Sequence, residues 1–199
     1  MSSRETILAA VLQNQPALSP LPDISIFKVD YEDKVKKYMD MFTAIGGTVY
    51  LVNDIHAVKA LIKQDFDITK RLISTLPELS DVAELYSDAA APHSFDDAEL
   101  AVIKAHLAVA ENGAVWLTEQ SMGQRIIPYI CQHLAVLVNE EHIVSTMHDA
   151  YAQIGTEDYG FGGFIGGPSK TADIEQALVL GAHGPLTMTV FIIKSVQIN

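Results

Sequence analysis

The segment that most constrains this chain is its last apolar run, Thr187–Ile193 (TMTVFII). It does not alternate polar with apolar residues, so as a strand it is apolar on both faces. Such a strand needs cover on both sides, which places it inside a parallel sheet sandwiched between other layers. Thr48–Val52 (TVYLV), Ala101–Lys104, Ala114–Leu117 and Leu134–Val138 read as further short strands, and Arg71–Leu76 as a weaker one. Helical spacings lie between them. Ile7, Val11 and Leu12 mark a short helix over 4–13. Val35, Tyr38, Met39, Phe42 and Ile45 mark a helix stopped by Gly46-Gly47. Ile55, Val58 and Ile62 share a face behind an Asn53 or Asp54 cap. Ile143, Met147, Tyr151 and Ile154 mark another helix. A last one is expected over roughly 170–180, burying Ile174, Ala177, Leu178 and Gly181. Pro16, Pro20 and Pro22 enforce a loop, and the polar, proline-punctuated residues 77–99 have no ordered reading. Strands alternating with helices predict one α/β domain over 1–199, three-layer α/β/α with a mainly parallel sheet and residues 1–30 peripheral. Ligands of such folds gather at the carboxyl ends of the strands.

Charge and cysteine usage exclude several function classes. Thirteen Lys and Arg against 25 Asp and Glu leave a net charge of −12, without the basic face that a nucleic-acid partner demands. Cys131 is the only cysteine, so no intrachain disulfide can form. An iron–sulfur cluster normally takes about four thiolates, which this chain does not have. The surroundings of Cys131 (IIPYICQHLAVLV) suit a buried small side chain better than a nucleophile. The seven histidines include no H-E-x-x-H pair, so no metal or cofactor is expected on this chain. The apolar run 7–12 is too short to span a bilayer, and no later run approaches about 18 residues. A cytoplasmic protein without membrane insertion is the simplest expectation.

Three segments carry candidate chemistry. The densest is Gly166-Gly167-Pro168-Ser169-Lys170-Thr171-Ala172-Asp173-Ile174-Glu175, where a strand (Phe164-Ile165) turns toward the expected helix. Ser169 or Thr171 can cap that helix, and its first-turn N–H groups together with Lys170 suit a carboxylate or phosphate. The same residues also read as a Gly-Pro turn with an ordinary cap. A P-loop fails here because Pro168 stands where lysine is required, and G-x-G-x-x-G from Gly160 fails at Ile165. The second segment, Gly181-Ala182-His183-Gly184-Pro185, sets His183 at the apex of a turn, ready to exchange a proton or to satisfy helix carbonyls. The third is the turn Glu111-Asn112-Gly113 with Arg125 downstream. The Arg125 fork suits a carboxylate, and equally a surface ion pair.

Together, Gly167-Pro168-Ser169-Lys170-Thr171-Ala172-Asp173-Ile174-Glu175 and Leu180-Gly181-Ala182-His183-Gly184-Pro185, followed by the closing strand, resemble the LUD-domain family. The resemblance runs from about residue 100 to 193. Glu111-Asn112-Gly113 and Arg125 fall where that family has its E-T-G-T turn and a later arginine. Asn112 and Ala114 replace its usual threonines, and Lys170 its usual arginine, keeping the charge without the bidentate fork. The resemblance implies a NagB/RpiA/CoA-transferase-like fold, shared with 5-formyltetrahydrofolate cyclo-ligase. It implies a part in oxidising L-lactate to pyruvate beside cysteine-rich partner subunits that carry iron–sulfur clusters. It names no catalytic residue. The candidate ligand residues are Glu111, Gly113, Arg125, Gly167, Pro168, Ser169, Lys170, Thr171, Asp173, His183 and Gly184. Two other roles stay open: a stand-alone cyclo-ligase or CoA-transferase-type enzyme acting on a small anion, and a scaffold with a degenerate pocket. A homodimer is compatible with each.

Overall fold

The structure, a computed structural model, describes residues 2–88, 91–171 and 179–195. In chain order its elements are α1 (Ser3–Gln13), α2 (Lys34–Ala44), β1 (Thr48–Val52), α3 (Ile55–Asp65), β2 (Arg71–Ser74), β3 (Glu84–Leu85) and β4 (Ala98–Lys104). There follow β5 (Leu107–Val109), β6 (Val115–Thr118), α4 (Glu119–Met122), α5 (Ile127–Ile130), β7 (His133–Asn139), β8 (Ile143–Val144), α6 (Met147–Ile154), β9 (Gly162–Ile165) and β10 (Thr187–Ile193).

Six strands form one sheet in the order β1-β10-β7-β4-β2-β3, and each neighbouring pair is parallel. The two-faced apolar run β10 lies between β1 and β7, as its sequence demands. Met188, Val190 and Ile192 enter the core on one face, with Tyr38 and Phe42 of α2. Phe191 enters the core on the other, with Val58 and Ile62 of α3. These two cores separate three layers. Fully burying one such side chain contributes roughly 1.5–3 kcal/mol, and Phe42, stacked 5.6 Å from Tyr38, has no exposed surface.

The helix boundaries follow from local chemistry. Asp33 caps α2 by accepting from the Lys36 amide, and Asp54 caps α3 by accepting from Ala57. Gly46, at φ +91°, ends the turn after α2 where a side chain would be strained. The helix α1 is closed by a Ser2–Glu5 capping box but buries no residue, so its Ile7–Val11–Leu12 face lies in solvent. Tyr151 of α6 is likewise exposed, and Ile143 belongs to β8 rather than to that helix.

Two expectations need correction. Ala114–Leu117 does not join the main sheet: β6 sits in a second sheet of order β8-β5-β6-β9, with β5–β6 and β6–β9 antiparallel. That sheet shares an outer layer with α2, and Val115 and Leu117 face the same core as Tyr38. The expected helix over 170–180, with Ile174, Ala177 and Leu178, lies largely outside the described residues. Its ends are not helical turns, because Lys170 and Leu180 form an antiparallel bridge and the Thr171 amide donates to Val179 at 3.1 Å.

The described residues of the polar stretch 77–99 are organised from a distance. Arg71 grips Glu84 with Nε and Nη2, both at 2.9 Å, and Asp97 with Nη1 at 2.6 Å, while its guanidinium lies 5.4 Å from the Phe95 ring centre. These contacts hold the guanidinium strongly protonated.

Candidate functional site

Gly113, Gly167, Pro168 and Lys170 of the predicted motifs converge on the carboxyl end of α2. Gly113, at φ +75°, turns the chain between β5 and β6, and a Cβ there would lie 3.0 Å from Ile45 Cδ1. Asn112 shapes this turn by accepting from the Ala114 amide at 3.0 Å, an Asx arrangement that a short amide side chain makes readily. The Glu111 amide donates to Ser145 O at 3.1 Å. After β9, Gly167 bends at φ +76° so closely over the helix end that a Cβ would sit 3.2 Å from Ile45 O. Lys170 Nζ donates to that same carbonyl. The carbonyl end of a helix carries partial negative charge, so the ammonium is well placed there.

The second motif is laced to the first. The Ser169 amide donates to Pro185 O at 2.9 Å, and the Gly181 amide to Ser169 O at 3.0 Å. Gly184 allows close approach, since a Cβ there would meet Ser169 Cβ at 3.3 Å. Gly167 and Pro168 are buried, Ser169 and Thr171 half-buried, and His183 exposed. Asp173 lies outside the described residues. The amides of Ser169 and Thr171 are therefore paired within the chain, and the Lys170 ammonium is turned onto a helix end; the amides after Thr171 expected in the first turn of the helix lie outside the described residues. This junction leads into the amino end of β10.

Arg125 stands apart from it. Its Nε and Nη2 hold Glu119 Oε2 at 3.0 and 2.7 Å, and its guanidinium lies 5.2 Å from the Phe161 ring centre. The β6–β9 register runs from Val115↔Ile165 to Thr118↔Gly162, about 10 Å of paired strand, and Arg125 and the Gly167 bend flank its opposite ends.

A different group of side chains meets at the carboxyl edge of the six-stranded sheet. Lys104 ends β4, and Ala105 and His106 carry the chain into the second sheet, their amides donating to Leu137 O and Trp116 O at 2.8 and 3.0 Å. A cleft of about 400 Å³ lies elsewhere, beside Arg71; here one of about 330 Å³ is lined by Lys104, Ala105, His106, Ser121 and His142. His106 Nε2 lies 2.8 Å from Thr118 Oγ1, and the Ser121 hydroxyl donates to Thr118 O at 2.9 Å. Burial lowers the His106 pKa; Glu157 pulls it back up, while His142 and Lys104 push it down further. Lys104 has no ion pair among the described residues. Sequence reading missed this group. The available signal was polar residues directly after the apolar runs that end β4 and β7. Cys131 is buried, and burial pushes its thiol up to about 12. Among the described residues no three His, Cys, Asp or Glu side chains are grouped to hold a metal.

Residues 81–193, more than half of the sequence, match the LUD domain. The chain belongs to the LUD domain family. Lactate utilization protein C of Oceanobacillus iheyensis is 28% identical to this LUD chain over 104 residues, covering 49% of it and 45% of the relative. The Shouchella clausii protein of that name is 28% identical over 159 residues, covering 72% and 65%. The Anoxybacillus flavithermus one is 36% identical over 89 residues, covering 44% and 40%. The chain thus spans less than two thirds of the length of these relatives. A crystal structure at 1.70 Å of a DUF162 family protein from Deinococcus radiodurans shares the fold, with a TM-score of 0.64 at 17% identity over 83% of this chain and 99% of that one. The LUD match contains the glycine-rich junction and the whole carboxyl-edge cleft, whereas α1, α2, β1 and α3 precede it. No helix among its described residues is long and apolar enough to cross a membrane.

Proposed function

We propose that this LUD chain serves lactate utilisation as a subunit of an L-lactate-oxidising system, and that its fold is of the NagB/RpiA/CoA-transferase-like kind. Oxidation of lactate to pyruvate releases two electrons and two protons, and on this reading the electrons leave through iron–sulfur clusters on partner chains. The observation that carries the reading is membership of the LUD family with relatives named lactate utilization protein C. The donor set of the chain supports the division of labour: a cluster needs several thiolates, and the single Cys131 is buried and held protonated. Within the system the junction around Ile45 acts as a structural clamp, because its Ser169 and Thr171 amides are already bonded and Lys170 caps α2.

The test is reconstitution with the cysteine-rich partner chains. Omitting this chain is expected to reduce pyruvate formation from L-lactate, and the chain is expected to co-purify with partners whose clusters are intact. Undiminished lactate oxidation in its absence, with no association, would refute the proposal. Lys170→Ala and His183→Ala separate clamp from ligand site: a clamp loses stability in the first and nothing in the second.

A further inference from the structure

We infer that the cleft at the carboxyl edge of the six-stranded sheet binds a small carboxylate, a 2-hydroxy or 2-oxo acid, with the Lys104 ammonium facing the carboxylate and His106 the neighbouring oxygen. The choice of that acid class rests on the lactate reading. The anion site itself does not.

Four observations support it. The first is position. Lys104 ends β4, which pairs with β7 in the middle of the sheet, and open α/β sheets leave a crevice at such carboxyl ends. The turn Thr118–Ser121 of the second sheet closes one side. The second is charge. Lys104 lines this cleft and makes no ion pair among the described residues, as is also true of Arg4, Lys28, Lys37, Lys63, Lys170 and Lys194, so its ammonium is available to an anion there. The third is size. About 330 Å³ is at the small end of ligand clefts, and at about 30 Å³ per water it has room for about eleven waters, enough for an acid of a few heavy atoms with solvent beside it.

The fourth is the state of His106. Thr118 Oγ1 engages Nε2 and orients the ring, leaving Nδ1 for a ligand oxygen. Burial, with His142 and Lys104, lowers the pKa of the ring below its usual 6.5, and Glu157 is the acidic group acting on it in the other direction. His142 itself lies 3.9 Å from Glu141. A neutral imidazole donates or accepts toward a hydroxyl or keto oxygen. A bound carboxylate acts on the ring in the same direction as Glu157, so binding takes up a proton and strengthens as the pH falls.

The test is ligand-dependent thermal unfolding of the full chain, with L-lactate, pyruvate, acetate and inorganic phosphate at millimolar concentrations, at pH 6 and pH 8. Lactate and pyruvate are expected to raise Tm, more at pH 6, and acetate less, because it lacks the second oxygen. Lys104→Met is expected to weaken lactate binding about tenfold or more, as loss of a charge-assisted hydrogen bond does. Its ligand-free Tm should stay unchanged, since Lys104 is exposed. His106→Gln should remove the pH dependence of binding. Absence of stabilisation by every carboxylate, stabilisation by phosphate alone, or wild-type affinity in Lys104→Met would overturn the inference. Such a result would leave reconstituted lactate oxidation untouched, so this site and the subunit role fail separately.

Discussion

Substituting alanine at Gly167 and, separately, at Gly166 tests whether the motif bend is a clamp on α2. Gly167 has φ +76°, a region that costs an L-residue about 1–2 kcal/mol. An added Cβ would also lie 3.2 Å from Ile45 O and 3.3 Å from the Ile45 side chain, which cannot retreat far while Lys170 holds the same carbonyl. Overpacking of this kind costs about 1–3 kcal/mol, and the stiffer unfolded chain returns about 0.4–1 kcal/mol. Gly167→Ala should therefore lose about 1–4.5 kcal/mol, a fall in Tm of roughly 2–18 °C for a domain of this size. Gly166 differs on both counts. Its φ is outside the left-handed region and its nearest neighbour to a Cβ is Ala114 at 3.8 Å. Gly166→Ala should be neutral or stabilising by up to about 1 kcal/mol. Thermal and urea unfolding followed by circular dichroism measures both. Equal losses at the two glycines, or no loss at Gly167, would refute the clamp.

Three further outcomes are expected. Lys170→Met should lower ligand-free stability by about 0.3–1 kcal/mol through loss of charge at the α2 carboxyl end, read from the urea midpoint; an unchanged midpoint would mean that the lysine serves something other than α2. Burial lowers the His106 pKa below its usual 6.5, so the folded state disfavours the protonated ring. The stability it contributes is complete above pH 6.5 and is lost as the pH falls through the folded-state value. His106→Gln should flatten that part of the Tm profile between pH 7.5 and pH 5, and parallel profiles would contradict the assignment. Arg71→Met should release the segment carrying Glu84, Phe95 and Asp97, at a cost of about 1–3 kcal/mol. Limited proteolysis should then cut faster within 77–97, and an unchanged cleavage pattern would show that other contacts order it.

Short-range chemistry was legible along much of the chain. Asp54, the glycines at 46 and 113, and the helical spacing of Val58 and Ile62 each act within a few residues, so their consequences can be read along the chain, as the Asp33 cap could have been. The two-faced apolar run of β10 even announced its interior place in the sheet, because no position with one wet face would suit it. The two glycine-bearing motifs do meet, through the Ser169–Pro185 and Gly181–Ser169 hydrogen bonds.

What stayed hidden depends on partners far away in sequence. Val115–Thr118 is as apolar as any strand of the main sheet, and only its pairing with β5 and β9 assigns it to the second one. The stretch 77–99 shows no order along the chain, and its described residues are tied down where Arg71 reaches across to Glu84 and Asp97. The amides of Ser169 and Thr171 look free until Pro185 and Val179 come round to take them. Lys104, His106 and His142 become one cleft only when the ends of β4 and β7 lie side by side. The amino-acid order alone determined the long helices α2 and α3, the main strands β1, β4, β7 and β10, and which strand must be buried on both faces, because propensity, capping and hydrophobic period are local. Tertiary packing alone decided which backbone groups remain open to a ligand and which charges lack a counterpart, because a hydrogen bond or ion pair is settled by whichever partner the fold brings within about 3 Å.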